Sequence, residues 1–117
     1  MLSQPFTGNN LISTTETSLI SGNTTLQSNT TAGVYQLFLD LSTLVAGDSF
    51  TVNVKEKIIS TGSQLVIEQI VMTPAGGAYT APGFVSAPLQ LVNGWDMTIV
   101  KNQGTDRYIP YSIRQIS

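Results

Sequence analysis

Residues 33–58, GVYQLFLDLSTLVAGDSFTVNVKEKI, contain the two clearest strand patterns in the chain. Apolar residues recur at every second position over 35–41 and again over 50–54. A period of two with one polar face is typical of a half-buried antiparallel strand. The link at 42–48 is too long for a two-residue hairpin and ends in Gly-Asp, which is a turn signal. We therefore predict that this link carries the chain from one sheet to another.

Similar patterns recur along the rest of the chain, separated by turn residues. They fall at 16–21, 64–73, 83–92, 95–101 and 107–116. Asn93-Gly94 is the strongest hairpin signal, while Pro88 and Pro110 each indicate an edge or a local distortion, because proline cannot donate to a ladder. With no helical period, the sequence predicts an all-β fold: a single antiparallel β-sandwich, jelly-roll-like, of seven to eight strands. Another Greek-key order or a small barrel stays open.

The strand predicted at 64–73 is apolar on both faces. One parity holds Leu65, Ile67 and Val71, and the other holds Val66, Ile70 and Met72. A strand with two apolar faces is either central in a sheet or covered by a partner subunit. We predict that symmetric self-association covers the face of Val66, Ile70 and Met72.

Residues 1–15 show no sustained period, and we predict that they form an N-terminal extended arm outside a β-sandwich domain at 16–117. The arm carries three apolar anchors, Phe6, Leu11 and Ile12. In one interpretation the arm lies loosely on its own domain. In the other, the anchors dock on another subunit, since exposed apolar groups tend to find a surface. Phe6, Leu11 and Ile12 are therefore candidate partner-binding residues.

The composition limits the classes of partner. The 117 residues suffice for one domain. Asp, Glu, Lys and Arg make up 10% of the chain, against about 25% in average globular domains, and a polar but weakly charged surface suits proteins that assemble with neighbours. A net charge of −2 with scattered cations disfavours nucleic-acid binding. We expect no membrane span and no signal peptide, because no apolar run or basic leader pattern is present.

The chain contains no cysteine and no histidine. This excludes disulfides, thiol nucleophiles, histidine bases and the usual zinc ligands. No serine lies in a nucleophile motif and the carboxylates are dispersed, so we expect no enzyme, no cofactor and no metal site. Asn102, Gly104 and Asp106 resemble part of a calcium loop, but its terminal glutamate is missing and a structural turn explains them.

Two aromatic residues are further candidates for partner binding. Tyr79 lies in the Pro- and Gly-rich loop at 74–82, and Trp95 directly follows Asn93-Gly94. Together they could form a platform on which a sugar ring stacks. A single tryptophan at the start of a strand is also typical of a core lid or an interface anchor.

Two segments, LFLDLSTLVAGDSFTVNVKEKI at 37–58 and DRYIPYSIRQI at 106–116, resemble small all-β virion structural proteins of tailed bacteriophages. The shared pattern is Asp-Leu-Ser-x-Leu-x-x-Gly-Asp between two strands, here at 40–48. A final strand with aromatic-Ser-Ile-Arg, here at 111–114, completes it. The aromatic position holds Tyr111, where tryptophan is expected in relatives.

This resemblance implies a capsid decoration (cement) protein that binds the major capsid protein lattice and helps it to resist internal DNA pressure. It implies a homo-oligomer, with a trimer favoured and a dimer possible, on the capsid surface of a virion after synthesis in the host cytoplasm. We expect neither nucleic acid nor membrane as a partner. The alternative is a receptor- or carbohydrate-binding module of a phage tail or fibre that uses Tyr79 and Trp95.

Overall fold

The computed structural model describes residues 2–74 and 81–117. All the regular secondary structure in these residues is β-strand. The strands are β1 (Ser3–Ile12), β2 (Thr17–Ser18), β3 (Gly33–Asp40), β4 (Ser49–Lys57), β5 (Gln64–Met72), β6 (Gly83–Val85), β7 (Leu89–Leu91), β8 (Asp96–Gln103) and β9 (Arg107–Gln115). All their pairings are antiparallel. The predicted all-β antiparallel fold is confirmed. The described part holds nine strands because one predicted strand is split and another forms at the N-terminus.

The strands form two sheets that share one apolar core. The five-stranded sheet has the order β1-β9-β3-β6, with β7 also paired to β3, and the four-stranded sheet has the order β2-β8-β4-β5. Alternate residues of β3 and of β4, such as Leu37 and Val52, are fully buried and belong to the same cluster. The period of two therefore turns one face of each sheet inward, in a sandwich-like arrangement.

The link at 42–48 carries the chain between the sheets, as predicted. It joins β3 in the five-stranded sheet to β4 in the four-stranded sheet. Gly47 has a φ of 93°, which a residue with a side chain rarely adopts. Leu44 is fully buried, so the link is also anchored in the core.

The Asn93-Gly94 turn does not close a hairpin, so that prediction is wrong. Its flanking strands, β7 and β8, belong to different sheets. Gly94 does have a positive φ of 48°, and the Glu56 carboxylate accepts the N–H groups of Val92 and Asn93, the latter at 2.8 Å. The dipeptide therefore indicates the local bend, whereas the strand pairing depends on tertiary contacts.

Pro88 lies at a sheet edge, as predicted, but Pro110 does not. Pro88 interrupts the edge between β6 and β7, which pair with the same side of β3. Pro110 lies in β9, which runs between β1 and β3. The first residue of β9 that pairs with β3 is Tyr111, so the missing N–H of Pro110 falls just before that ladder begins. This position explains why a central strand tolerates the proline.

The N-terminal segment forms a strand of the domain, which corrects the prediction of an arm at 1–15 outside it. β1 pairs with β9 over most of its length and forms one edge of the five-stranded sheet. Ile12, at its end, is completely buried. Gly8 and Asn10 occupy inward positions of β1, on the same parity as Ile12. Because neither is apolar, the alternation is hidden in the sequence.

β5 is an edge strand, so the predicted central position is wrong. In the described part of the chain, β5 pairs with β4 alone. Most residues of β4 are buried, whereas Met72 is the one buried residue of β5. The other interpretation of a strand with two apolar faces, cover by a partner, stays a prediction.

Candidate interaction surfaces

The three predicted N-terminal anchors lie in different environments. Ile12 is completely buried, and Phe6 is half-buried with its ring 6.1 Å from the ring of Trp95. Both pack inside their own domain, so the prediction that they dock on another subunit is corrected. Leu11 has the opposite parity and is 48% exposed. Of the three, Leu11 alone is well exposed to a partner.

Trp95 is completely buried, which rules out its predicted use as a sugar platform. Its ring lies 4.5 Å from the ring of Tyr35, and its Nε1–H donates to the carbonyl oxygen of Thr31 at 3.0 Å. The interpretation of Trp95 as a core residue is confirmed. Tyr79, the other predicted platform residue, lies in 75–80, outside the described residues.

A group of large aliphatic side chains is exposed along β5 and the turn that precedes it. We call this group the β5 surface, and each of its members is between 40% and 64% exposed. It consists of Ile58, Ile59, Leu65, Val66, Ile67 and Val71. Isolated exposed apolar residues are ordinary on proteins, but a contiguous apolar patch marks an interaction site or an aggregation hazard. Six of the thirteen large apolar side chains that are exposed in the described structure belong to this group, and those on β5 lie on both faces of this edge strand, because neighbouring strand residues point to opposite sides.

The β5 surface differs from the apolar face predicted at 66, 70 and 72. Met72 is buried and Ile70 packs against the core, so of that face only Val66 remains exposed. The exposure of Ile58 and Ile59 was not predicted from the sequence. Two adjacent isoleucines immediately before the turn residues Ser60 to Gly62 could have indicated them, since a turn seldom needs apolar residues.

The register of β5 favours side-chain contacts over a simple extension of the sheet. Val54 of β4 pairs with Glu68, and Lys55 pairs with Val66, so Ile67 is the extra residue of a bulge. A bulge bends an edge strand and interrupts its row of free backbone groups. Glu68 is the single charged residue of β5. A partner would therefore meet mostly aliphatic side chains here.

The Asp48 carboxylate joins two turns. It accepts the backbone N–H of Val45 at 2.9 Å, the Nε–H of Arg107 at 2.9 Å and the N–H of Thr105 at 3.2 Å. Burial by itself would raise the pKa of Asp48, but these donors outweigh it and lower the pKa below its usual value. All three donors are structural, so Asp48 works as a clamp and not as a proton donor.

Two other acidic groups hold the segment before β3 against the four-stranded sheet. Asp96 is completely buried and accepts from the Ser18 hydroxyl and the Gln27 N–H; its burial nevertheless raises its pKa. For Glu16, burial opposes a low pKa, but bonds from Lys55 and Thr98 outweigh it and lower the pKa. Each of these carboxylates is engaged by protein donors and has a structural role.

The predicted turn at Asn102 to Asp106 is built from protein contacts. Asn102 donates to the Thr51 hydroxyl at 2.6 Å, and Asp106 forms an ion pair with Lys101. Across residues 2–74 and 81–117, no group of three acidic side chains lies close enough together to hold a metal ion. In the same residues there is no helix long and apolar enough to cross a membrane.

Comparison with known proteins adds no relative: neither a protein-family model nor a curated protein matches the chain.

Proposed function

We propose that this chain is a non-enzymatic virion structural protein of a tailed phage, a capsid decoration protein that binds the major capsid protein lattice and stabilises it. The β5 surface is the observation that carries this proposal. Four of its six exposed aliphatic side chains lie on the edge strand β5, and the other two lie on the turn before it. Burial of each such side chain contributes up to about 1.5–3 kcal/mol. Repeated over a lattice, a few of them per subunit stabilise the shell.

The strand order supports a jelly-roll assignment for the fold. The hydrogen-bonded pairs nest around the β4–β5 turn: β4 with β5, β3 with β6 and β7, β2 with β8, and β1 with β9. One long hairpin wound over itself produces this nesting, if β6 and β7 are counted as one interrupted strand. Jelly rolls occur in viral capsid proteins but also in lectins, so the fold is compatible with the proposal without selecting it.

We propose that the decoration protein acts as a homo-oligomer, with a trimer favoured by the resemblance at 40–48 and 111–114. The low charge supports this part of the proposal. Three of the five cations, Lys55, Lys101 and Arg107, are already paired with acidic groups of the same chain. Weakly charged surfaces can approach each other without the desolvation penalty of burying ions.

The alternative function, a receptor- or carbohydrate-binding module of a tail or fibre, loses its predicted platform because Trp95 is in the core. An accessible aromatic side chain does lie elsewhere, on the outer face of the five-stranded sheet.

Co-sedimentation with purified capsids that lack the chain tests the proposal. The double variant Val66→Thr and Val71→Thr keeps the β-branched shape at two exposed positions of the β5 surface. The matched control is Val45→Thr with Val92→Thr, which makes the same change at exposed valines elsewhere. We expect the first variant to lose about tenfold or more in capsid affinity, a change of about 1.4 kcal/mol, and the control to bind like the natural chain. Equal binding by all three proteins would contradict the role of the β5 surface.

A further inference from the structure

The outer face of the five-stranded sheet carries an aromatic–cation pair that the proposed function does not use. The guanidinium carbon of Arg114 lies 3.7 Å from the centroid of the Phe38 ring. Phe38 belongs to β3 and Arg114 to the neighbouring β9, where Gln36 pairs with Arg114 in the register. Both side chains lie on the parity opposite to the buried residues of their strands. The pair therefore occupies the middle of an outward-facing sheet surface.

Neighbouring hydroxyl and amide groups orient the Arg114 guanidinium. Its Nε–H donates to Ser112 Oγ at 3.3 Å, and the Ser112 hydroxyl donates in turn to Gln4 Oε1 at 2.8 Å. Arg114 forms no ion pair with any residue that the structure describes. Its two terminal nitrogens therefore have no carboxylate partner among those residues.

Two open cavities flank the Phe38–Arg114 pair, which forms a wall of both. The first, of about 510 Å³, is lined also by Leu2, Gln4, Gln36 and Ile116. The second, of about 540 Å³, lies on the side of β6 and includes Val85 and Pro110. Each volume falls in the range of about 300–1,000 Å³ that small-molecule sites occupy. An extended ligand can cross the pair and occupy both.

The walls of these cavities define the class of ligand. Among the described residues that line the first cavity, Arg114 alone carries a formal charge, and the other polar groups are neutral amides and a hydroxyl. Neutral amides both donate and accept, as sugar hydroxyls do, while aliphatic and aromatic walls suit the C–H faces of a sugar ring. A guanidinium fork matches the geometry of a carboxylate. The second cavity also contains the Asp40 carboxylate, which accepts from the N–H and the hydroxyl of Ser42 and keeps its negative charge, so the carboxylate of the ligand belongs on the side of the first cavity.

We propose that this face binds an acidic glycan, an oligosaccharide that contains a uronic or sialic acid. Its carboxylate pairs with Arg114, and its sugar rings lie in the cavities on either side of Phe38. The neutral amides and the hydroxyl that line the first cavity match the many hydroxyl groups of a sugar chain, which favours an oligosaccharide over a free carboxylate. This inference is independent of the capsid-binding role of the β5 surface, since that surface lies on the other sheet.

Isothermal titration of the full chain tests this site with two acidic probes, an oligogalacturonate and a sialylated trisaccharide, and with their neutral counterparts. We expect at least one acidic probe to bind about tenfold or more tightly than its neutral counterpart. Arg114→Gln should remove that preference, and Arg114→Lys should restore part of it, because lysine keeps the charge without the planar fork. Lys57→Gln, which removes an equal charge from β4 in the other sheet, should leave binding unchanged.

Three results would overturn the proposal. The first is the absence of binding by both acidic probes, and the second is equal binding of acidic and neutral probes. The third is an equal loss in Arg114→Gln and Lys57→Gln, which would reduce the effect to net charge. Thermal unfolding of each variant checks that the fold is intact. If Arg114→Gln fails to fold, Arg114→Lys is compared with the natural chain instead. An equal preference for acidic probes in those two proteins would contradict the proposed pairing of the ligand carboxylate with the planar guanidinium.

Discussion

The ring of Phe6 lies edge-on to the ring of Trp95, with centroids 6.1 Å apart and planes at 76°. This geometry is one of the favoured arrangements of aromatic pairs. It connects the first strand of the chain to the centre of the core, where Trp95 also contacts Tyr35. Two residues that the sequence suggested as contacts for a partner therefore contact each other, and the N-terminal strand helps to complete the domain.

The first prediction concerns the role of β1. Ile12→Ala should lower the free energy of unfolding by about 2–5 kcal/mol, because it leaves a cavity at a completely buried position. Leu11→Ala is the matched control. Since Leu11 lies on the outer face of the same strand, its replacement should change the free energy by about 0.5 kcal/mol or less. Urea unfolding of both variants measures the difference. Equal, near-zero effects would mean that the segment is a detached arm after all.

The second prediction concerns the Asp48 clamp. Asp48→Asn should lower the free energy of unfolding by about 1.5–3 kcal/mol, because a carboxylate that is only 3% exposed loses its charged hydrogen bonds to Arg107, Val45 and Thr105. Asp106→Asn breaks an ion pair in which the Asp106 side chain is 40% exposed, and it should change that free energy by about 1 kcal/mol or less. Chemical denaturation at pH 7 compares them. If the two variants lose the same amount, Asp48 has no special part in joining the turns.

The third prediction gives the pH dependence of that clamp. The folded pKa of Asp48 is lowered, so its contribution is complete above the unfolded pKa of about 3.9 and is lost as the pH falls through the folded value. The stability difference between the natural chain and Asp48→Asn should therefore shrink below pH about 4. Unfolding curves at a series of acidic pH values measure this difference. A difference that stays constant down to strongly acidic pH would refute the assignment.

The fourth prediction separates backbone strain from steric overlap at two turn glycines. Gly47 and Gly104 have φ values of 93° and 97°, but a Cβ at position 47 meets open space, whereas one at position 104 overlaps Asp48. Gly47→Ala should lower stability by about 1–3 kcal/mol through strain alone. Gly104→Ala should lower it further, because the Asp48 carboxylate must move. Thermal and chemical unfolding of the two variants tests the order, and a larger loss at Gly47 would contradict it.

The sequence predicted what depends on local pattern and left open what depends on distant contacts. The alternation in 35–41 and 50–54 identified β3 and β4, and the length of the 42–48 link identified the change of sheet. The hairpin at Asn93-Gly94 failed because the partners of β7 and β8 are set by residues far along the chain. The strand β1 was not predicted, because glycine and asparagine occupy two of its inward positions and interrupt the apolar alternation.

The candidate surfaces also depend partly on local pattern, which the sequence shows, and partly on distant contacts, which it does not show. Apolar residues at 64–73 were visible in the sequence, but burial of Met72 and exposure of Val71 depend on the place of β5 at an edge. The Phe38–Arg114 pair joins residues from β3 and β9, whose register no local pattern contains. The pair can therefore be recognised only when the pairing of β3 with β9 is known.

The number of copies of this chain in a purified particle tests the central proposal most directly. Quantitative mass spectrometry of a purified particle of the proposed kind gives the molar ratio of this chain to the protein that forms the capsid lattice. A decoration protein predicts a fixed ratio close to the number of lattice sites, so hundreds of copies per particle, and loss of that occupancy when Val66 and Val71 are both replaced by threonine. A handful of copies, as in a tail or fibre component, or complete absence from the particle, would contradict it.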